Sequence, residues 1–484
     1  VATASSAILI TSILWVELDP LKMASGVFRH GEIITDRQML FHKDGKTASV
    51  DLFQSKAGKL TISTNGKPDA AIGKEKPSPD EVTMILTAAL PWAIHNQAKT
   101  VATIGFGSGM TSHVLLSIPS IERVDTIEIE PAMVEGAKGF GERVANVFND
   151  PRSHIHVEDA KAYFTNHQKK YDLIVSEPSN PWVSGVAGLF SQEFYQLIHN
   201  HISEKGLFVQ WFHTYEIDTT LVASVIKALS LHFEDYAIYF PLESNLLIIA
   251  SKHGKVGEPS EKIFDIPELA ATLSRIGISS QQDILLRKLG SKKILDPLFN
   301  SYHIAANSDY FPVLDLGAVR TRYLNKNARE LQRLRFFAAP LIETLEGQPI
   351  RTAPLSINEN HYLQIGTAAR QAMLIHQYFE WVTKKQVTPS LSMDGSTVAT
   401  VRNVRTIHHQ QCQPIGDEKW FSFEMEKGWL PYLHFLAKAT LPYLSPTEME
   451  IIWADIETAP CFSHLPENIR HWFNLYKAVG NRDF

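Results

Sequence analysis

Three glycines at alternate positions follow a short apolar segment in the first third of the chain. They are Gly105, Gly107 and Gly109, and the segment before them, Val101–Phe106, is typical of a buried strand. Glycine is needed where the backbone turns tightly and approaches a ligand closely, and the amides of a helix that follows such a turn face the ligand. The spacing is neither the G-x-G-x-x-G of dinucleotide enzymes nor a P-loop. It predicts a nucleotide-binding turn, and a glycine-rich turn without a ligand is the alternative.

Two acidic residues lie at the ends of the next two predicted strands. Glu128 follows the glycines by about 20 residues, where a carboxylate can accept hydrogen bonds from both hydroxyls of a ribose. Asp159 follows the third strand, where it can accept from an adenine amino group. Each acid alone is more often a helix N-cap or a solvated residue. Combined with the glycines, they predict a site for an adenosyl group.

A third polar segment follows the fourth predicted strand and reads Ser176-Glu177-Pro178-Ser179-Asn180-Pro181-Trp182. In a sheet of this kind, the carboxyl end of the fourth strand faces the reacting carbon of the ligand. Glu177 is therefore a candidate catalytic base, and a purely structural carboxylate is the alternative. Trp182 is a candidate wall of the pocket, although aromatic residues at strand ends usually serve packing.

Strand-like and helix-like segments alternate around these residues, which predicts an α/β fold with a parallel sheet covered on both faces. The last two strands are separated by few residues and are predicted to be antiparallel. The layout is that of a Rossmann-like, class I S-adenosylmethionine methyltransferase fold with a seven-stranded sheet. The predicted strands are Val101–Phe106, Val124–Ile129, His154–Val157, Asp172–Val175, Gly206–Trp211, Ala237–Phe240 and Leu246–Ala250.

Four regions are predicted along the chain. Residues 1–30 are an entry segment, whose apolar run Ala7–Val16 is too short to span a bilayer and leaves open the end of a truncated transmembrane region. Residues 31–95 form a small β-hairpin domain plus a helix, with turn signals at Asp44-Gly45 and Asn65-Gly66. Residues 96–252 form the nucleotide-binding catalytic domain. Residues 253–484 are mainly helical, with no role assigned.

The amino-acid composition of the chain limits the classes of partner that it can bind, and it says less about the activity. The chain of 484 residues has 52 acidic and 46 basic residues, a formal net charge of −6 and only two cysteines. Without a long basic run, the charge pattern argues against nucleic acid as a partner. Two thiols in so long a chain favour a reduced, cytoplasmic setting. Ligands at metal spacing are missing, so no metal site is expected.

Residues 40–252 resemble the spermidine synthase family of polyamine aminopropyltransferases, and more closely a membrane-associated branch in which such a domain follows transmembrane helices. The resemblance to the family covers the hairpin domain, the glycine loop, the acids at 128 and 159, and Leu189-Phe190-Ser191-Gln192-Glu193-Phe194-Tyr195. The features of the membrane-associated branch are Leu18-Asp19-Pro20 through Ser25-Gly26-Val27, Glu177-Pro178-Ser179-Asn180-Pro181-Trp182 and Asn307-Ser308-Asp309-Tyr310-Phe311-Pro312.

The resemblance implies a transferase of polyamine biosynthesis that moves an aminopropyl group from decarboxylated S-adenosylmethionine to an amine. Decarboxylated S-adenosylmethionine or S-adenosylmethionine would be the co-substrate, held by Gly105, Gly107, Gly109, Glu128 and Asp159. Glu177 falls where soluble members place their catalytic aspartate. Asn180 falls where they place a second aspartate that binds the amine, and Asp69 and Trp182 complete the predicted acceptor site. A cytoplasmic domain is implied, with attachment to the inner (plasma) membrane and homodimer formation left open.

Two other functions stay open at this point. Asn180-Pro181-Trp182 loosely matches the Asn-Pro-Pro-Tyr motif that orients an amine in N-methyltransferases that use S-adenosylmethionine, although the second proline is absent. A non-catalytic adenosyl-binding domain that regulates a membrane partner is the other. Relative to the family, the donor half of the site is conventional, and the acceptor half around Glu177 and Asn180 departs from it.

Overall fold

A computed structural model describes the ranges 5–6, 9, 11–12, 19–27, 31–334, 339–347, 364–384, 396–410, 418–460 and 462–483. Most of the apolar run Ala7–Val16 and both cysteines, Cys412 and Cys461, lie outside these ranges. Among the described residues, no helix combines the length and the apolar character that crossing a membrane requires.

The described chain contains twelve strands and a larger number of mostly short helices. The strands are β1 (Arg37–Asp44), β2 (Ser49–Ser55), β3 (Leu60–Thr64), β4 (Lys67–Ile72), β5 (Thr100–Ile104), β6 (Arg123–Glu128), β7 (Ser153–Val157), β8 (Tyr171–Ser176), β9 (Ile202–His213), β10 (Asp235–Leu242), β11 (Asn245–Ser251) and β12 (Lys288–Ser291). The α-helices are α1 (Pro20–Met23), α2 (Pro79–Ile94), α3 (Met110–Leu116), α4 (Pro131–Ala137), α5 (Ala145–Asn149), α6 (Ala160–Asn166), α7 (Gln192–His201), α8 (Thr219–Ser230), α9 (Pro267–Arg275), α10 (Gln281–Leu285), α11 (Lys292–Asn300), α12 (Val313–Tyr323), α13 (Arg329–Leu334), α14 (Leu341–Glu346), α15 (Gln364–Lys384), α16 (Ser396–Gln410), α17 (Glu418–Thr440), α18 (Pro446–Glu457) and α19 (Glu467–Asn481).

The first four strands form an antiparallel sheet in the order β1-β2-β3-β4. Its last hairpin turns at Asn65-Gly66, whose φ angles of 47° and 75° are the left-handed values that a two-residue hairpin turn requires. The turn at Asp44-Gly45 is longer and is closed by the Gly45 amide, which donates to the carbonyl of Ala48 over 2.9 Å. Both predicted turns therefore occur, and they build the small β unit expected before the larger sheet.

The larger sheet has the strand order β12-β10-β11-β9-β8-β5-β6-β7. The pairs among β5 to β9 are parallel, and β9-β11, β11-β10 and β10-β12 are antiparallel. The α/β class and the antiparallel excursion are confirmed. The count is eight strands rather than seven, because Lys288–Ser291 adds an edge strand that lies beyond the predicted boundary at residue 252.

Apolar residues bury both faces of this sheet. On one face, α2 contributes Ile85 and Leu90, which are at most 1% exposed; on the other, α8 contributes Val222 and Ile226 at 0%. Burying a side chain of this size stabilises the fold by roughly 1.5–3 kcal/mol. The parallel strands read as continuous apolar runs because neither of their faces meets water.

The alternation of strand-like and helix-like segments predicts one helix over Ala132–Val147, but the structure divides this segment into three pieces. Helix α4 ends at Ala137, a 3₁₀ segment covers Lys138–Val144, and α5 follows. Gly141 inside the 3₁₀ segment has φ 60° and ψ −135°, values that no helix accommodates. The apolar periodicity across the segment is real, but glycine breaks the backbone within it.

The C-terminal region is mainly helical, as predicted, and has a core of its own, built around Trp429 and Trp453. It is also connected to the rest of the protein through β12 and through a buried ion cluster. In that cluster the fully buried Glu81 of α2 accepts from Arg143 over 2.6 Å and from Arg275 of α9 over 3.3 Å. The domain limits as a whole stay a prediction.

Candidate active site

A cavity of about 910 Å³ opens at the carboxyl ends of β5 and β8. These strands are parallel neighbours, but the chain leaves β5 towards β6 on one side and leaves β8 towards β9 on the other. Such a switch point is where open α/β sheets bind ligands, because the loops diverge and leave a crevice. Residues of the small β sheet, of α2 and of α12 also line it.

The glycine loop forms the floor of this crevice. Gly105, Gly107 and Gly109 have φ angles of 93°, 52° and 84°. A Cβ on Gly105 would lie 2.5 Å from the carbonyl oxygen of Glu177, whereas one on Gly107 would meet nothing closer than 3.7 Å. Gly105 is thus required by the packing of two strand ends, and Gly107 by its backbone angle beside the cavity. Gly109 does not line the cavity; it is the N-cap of α3.

Glu128 lies at the end of β6 and is 8% exposed. Its Oε2 accepts from the amide of Phe106 over 2.8 Å, and its Oε1 accepts from the amide of Glu130 over 2.8 Å. Burial raises its pKa to about 6, against the opposing effect of these amides. Each carboxylate oxygen has a second lone pair, so Glu128 can both fix the glycine loop and accept from a ligand.

Asp159 also lines the cavity, but it is exposed. It is the N-cap of α6, and its Oδ1 accepts from the amide of Ala162 over 2.9 Å. The cap bond occupies one oxygen, which is the ordinary role of an aspartate at this position. The capping bond and the predicted contact with an adenine are compatible, because Oδ2 has no hydrogen-bond partner recorded within the described ranges.

Glu177 follows the last residue of β8. Its amide donates to the carbonyl of Ile104 over 2.9 Å, which holds the two strand ends together. Its Oε2 accepts from the Thr111 hydroxyl over 2.6 Å. Burial is the main cause that raises the pKa of Glu177 to about 7; the hydrogen bond from Thr111 opposes the shift, and the nearby charge of Asp80 adds to it. A carboxyl group with this pKa exchanges protons near neutral pH, as a general base must.

Asp80 is the functional candidate that the sequence reasoning missed. It occupies the first turn of α2 and lines the same cavity as Glu177. Burial raises its pKa to about 6, and the surrounding lysines and a backbone hydrogen bond from Ala71 oppose that effect. The available signal was the sequence Ser78-Pro79-Asp80-Glu81, in which an acid beside a capping box reads first as helix stabilisation.

Asp69 lies at the cavity wall in β4, and its charge is already compensated. Its Oδ1 accepts from Lys67 Nζ over 2.7 Å and from the Ser179 hydroxyl over 3.0 Å, and Oδ2 accepts from Thr64. Lys67 also donates to the Ser179 hydroxyl over 2.9 Å. The structure therefore places Asp69 beside the loop that follows Glu177, as an anchor of that loop.

Asn180 and Trp182 occupy the far wall. Asn180 is fully buried, and its Nδ2 donates to the Tyr215 hydroxyl over 3.2 Å. Within the described ranges, Asn180 Oδ1 and the Trp182 indole nitrogen have no hydrogen-bond partner. A buried acceptor without a partner costs free energy unless a ligand or water satisfies it. Arg322 of α12 lies over Trp182, with its Cζ 5.3 Å from the ring centroid.

The structure thus brings together eight of the nine predicted site residues in one cavity and leaves Gly109 behind it. The eight are Asp69, Gly105, Gly107, Glu128, Asp159, Glu177, Asn180 and Trp182. Asp80, Thr111 and Arg322 were not predicted, and nothing in the local sequence marks Arg322. In the part of the chain that the structure describes, no three His, Cys, Asp or Glu side chains are grouped to hold a metal ion.

Residues 83–253 match the spermine/spermidine synthase domain family. Polyamine aminopropyltransferases are similar to part of the chain. The protein of Alkaliphilus oremlandii is 26% identical over 234 residues, which cover 48% of this chain and 78% of that protein. The protein of Desulforudis audaxviator is 28% identical over 153 residues, which cover 32% of this chain and 53% of that protein. The protein of Alkaliphilus metalliredigens is 33% identical over 120 residues, which cover 25% of this chain and 42% of that protein.

Solved structures of the same kind are more distant. The spermidine synthase of Thermotoga maritima is 20% identical, with a TM-score of 0.38 over 45% of this chain and 73% of that one. The part of the chain that matches the spermine/spermidine synthase domain, residues 83–253, contains the glycine loop, Glu128, Asp159 and Glu177.

Proposed function

We propose that this protein transfers an aminopropyl group from decarboxylated S-adenosylmethionine to an amine, as part of polyamine biosynthesis. The observation that supports this most strongly is Glu177. It is a partly buried carboxyl group with a pKa raised to about 7, at the switch point of the sheet and close to the glycine loop and the unsatisfied Asn180. The relatives named polyamine aminopropyltransferase support the same activity.

The chemistry requires little beyond a base and good alignment. The amine nitrogen attacks the methylene carbon next to the sulfonium, the new N–C bond forms as the C–S bond breaks, and the sulfur leaves as a neutral thioether. The leaving group takes no proton, so the only proton to be moved is the one on the attacking nitrogen. The Glu177 carboxylate accepts it, and the cavity holds the reactants in line.

The donor half of the cavity is formed by strand ends. Gly105 and Gly107 let the backbone approach the ligand, Glu128 accepts from the ribose hydroxyls, and Asp159 accepts from the adenine amino group. The fit is chemical, because the carboxylates of Glu128 and Asp159 accept hydrogen bonds, which the ribose hydroxyls and the adenine amino group can donate. The Thr111 hydroxyl holds Glu177 in place over 2.6 Å.

The acceptor half is formed by the loop after Glu177. Asn180 Oδ1 accepts an N–H of the amine, which satisfies the buried atom and turns the nitrogen lone pair away from Asn180. Trp182 forms the apolar wall along the carbon chain of the amine. Asp69, paired with Lys67, fixes Ser179 and thereby the loop.

The test compares donors. The purified protein is titrated with S-adenosylmethionine, its decarboxylated form and methylthioadenosine, and each donor is then assayed with a panel of amines. We expect transfer of the aminopropyl group from the decarboxylated donor alone. Methyl transfer from S-adenosylmethionine would instead support the N-methyltransferase, and binding without turnover of either donor would support a regulatory adenosyl-binding domain.

The variant Glu177→Gln tests the base. It keeps the bond from Thr111 but cannot accept a proton, so turnover should fall by about 10²–10⁴-fold with donor affinity unchanged. Glu75→Gln, at an exposed position away from the cavity, is the matched control and should be fully active. Unchanged turnover of Glu177→Gln would remove Glu177 from the mechanism.

A further inference from the structure

The charged side chains that line the cavity are divided unevenly between its two halves. Acids lie on the strand ends and at the start of α2, and they include Asp80, Glu128, Asp159 and Glu177. The acceptor half is lined by the loop after Glu177, the end of β9, the turn between β10 and β11, and α12. Among the described residues of these elements that line the cavity, Arg322 is the only charged one. These elements therefore present a cation and no carboxylate to the cavity.

Two acids near the acceptor half do not change this balance. Asp69 on β4 is matched by Lys67 Nζ at 2.7 Å, and this pair anchors Ser179. Glu216 forms an ion pair with Arg322 but does not line the cavity. An acceptor with a second ammonium group would thus bring that group towards the guanidinium of Arg322, and like charges repel each other.

Arg322 is held at the cavity wall by a strained turn. Its Nε lies 3.9 Å from Oε2 of Glu216, and the two side chains are only 26% and 21% exposed. Glu216 has a φ of 56°, a left-handed value that costs free energy in a residue other than glycine. Asn327 holds this turn, because its Oδ1 accepts from the Glu216 amide over 3.1 Å. The chain thus keeps a strained backbone where it places a carboxylate beside Arg322, and such strain clusters at functional sites.

A row of contacts leads from Asn180 to Arg322. Asn180 Nδ2 donates to the Tyr215 hydroxyl over 3.2 Å, and the ring centroids of Tyr215 and Trp182 are 6.3 Å apart. The Arg322 Cζ lies 5.3 Å from the Trp182 centroid. Within the described ranges, two buried atoms of the row have no hydrogen-bond partner: Asn180 Oδ1, which can only accept, and the Trp182 indole nitrogen, which can only donate. The guanidinium also only donates, so one end of the row suits an amine and the other suits an anion.

An acceptor that matches this row has an amine at one end and a negative charge at the other. We propose, on the basis of the proposed transfer function, that the acceptor is an amino carboxylate and that Arg322 binds its carboxylate. The amine then donates to Asn180 Oδ1, and the Trp182 ring covers the carbon chain. A guanidinium has five N–H donors, so it can contact Glu216 and a bound carboxylate together. In this assignment Arg322 determines which amine is accepted, and Glu177 keeps the role of base.

Binding can be measured without turnover on protein saturated with methylthioadenosine, the thioether that remains after the aminopropyl group has been transferred. The probes are γ-aminobutyrate, putrescine and n-butylamine. Each has a primary amine on a four-carbon chain, and they end in a carboxylate, an ammonium and a methyl group. In isothermal titration calorimetry, the wild-type protein should bind γ-aminobutyrate at least about tenfold more tightly than the other two, the range expected for a charge-assisted hydrogen bond. In Arg322→Gln, the preference for γ-aminobutyrate over n-butylamine should fall to about twofold or less.

Matched variants separate recognition of the carboxylate from support of the fold. Arg320→Gln removes an exposed guanidinium from the same helix and should leave the affinity for all three probes unchanged. Arg322→Lys keeps the charge without the planar fork, so it should retain part of the preference. If Arg322→Gln does not fold, Arg322→Met replaces it, because methionine keeps an unbranched apolar stem beside Trp182; the same loss of preference is expected. Equal weakening of all three probes in the Arg322 variants would overturn the assignment in favour of a structural role.

Transfer assays with the same three amines separate this assignment from the proposed function. If the preference for γ-aminobutyrate depends on Arg322 but no amine is ever alkylated, the assignment holds and the transfer activity fails. If putrescine is alkylated with a kcat/KM equal to or above that of γ-aminobutyrate, the transfer activity holds and the assignment is wrong. Wild-type protein that binds γ-aminobutyrate no more tightly than n-butylamine, or not at all, also overturns the assignment, whatever the transfer assay shows.

Discussion

Replacing Glu177 with glutamine should stabilise the folded protein at neutral and alkaline pH while it removes activity. The carboxylate is buried where its charge is poorly solvated and close to Asp80, so folding forces an unfavourable charge whenever Glu177 is ionised. Glutamine is nearly isosteric and can still accept the hydrogen bond from Thr111. The variant thus keeps the contacts of Glu177 and removes only its charge.

The magnitude follows from the raised pKa. In the unfolded chain Glu177 has its ordinary pKa of 4.5, and in the folded protein the pKa is about 7. At about 1.4 kcal/mol for each unit of pKa, the ionised carboxylate destabilises the fold by at most about 3.5 kcal/mol. Glu177 keeps some contact with solvent at the cavity, so a stabilisation of about 1–3 kcal/mol by glutamine is expected.

The pH window has a definite sign. Below pH 4.5, Glu177 is neutral in both the folded and the unfolded protein, and the variant should match the wild type. As the pH rises towards 7, the unfolded chain ionises first and the wild type loses stability. Above pH 7 the folded protein is ionised as well, and the difference in the free energy of unfolding reaches its full value.

Thermal unfolding at a series of pH values from 4 to 8.5 measures this difference. Each kcal/mol should raise the Tm by about 2–4 °C in a domain of this size, so the Glu177→Gln variant should unfold several degrees higher at pH 8 and together with the wild type at pH 4. Glu75→Gln, with its exposed side chain, controls for the loss of a surface charge and should show no such trend. A Tm shift that is independent of pH, or a lower Tm at pH 8, would refute the argument that Glu177 is desolvated.

Two further substitutions test the packing of the glycine loop and the buried ion cluster near the site. Gly105→Ala should abolish donor binding and destabilise the protein, because its Cβ would lie 2.5 Å from the carbonyl oxygen of Glu177. Gly254→Ala is the control for backbone strain alone, because Gly254 has a φ of 72° and nothing lies within 4 Å of its Cβ. This control variant should lose about 1–2 kcal/mol of stability. Equal losses in these two variants, measured by urea unfolding, would contradict the packing argument. Glu81→Gln should destabilise the fold by about 3 kcal/mol, because it leaves two guanidinium groups without their shared buried carboxylate. A loss below about 1 kcal/mol would show that water compensates both arginines.

The donor half of the site could be predicted from the sequence because its determinants are local. A strand that runs directly into Gly105 and Gly107, and an acid at the end of the next strand, need only the parallel βα alternation to meet at one edge of the sheet. The convergence of Gly105, Gly107, Glu128, Asp159 and Glu177 in the cavity follows from that topology. The same reasoning predicts the antiparallel pair β10-β11 close to its observed limits.

What the sequence did not reveal depends on distant contacts or on very short elements. Arg322 reaches Trp182 only because α12 packs beside the loop after β8, a contact that no local pattern encodes. Strand β12 is four residues long and contains Lys288 and Gly290, so it shows neither alternation nor an apolar run. Asp80 was overlooked because an acid in the first turn of a helix is ordinarily explained by helix stabilisation. The sequence gives no sign that Asp80 also lines the cavity.

The loop between Glu177 and the start of α7 owes its position to residues far along the chain. Asn307 donates to the carbonyl of Ala187 over 3.3 Å and to that of Phe190 over 3.0 Å, and its own Oδ1 accepts from the amide of Leu314. The loop and α12 are therefore held as one piece, separate from the strand ends that bind the donor. Under the proposed function, substitutions in that piece could change which amine is accepted while leaving the strand ends of the donor half in place.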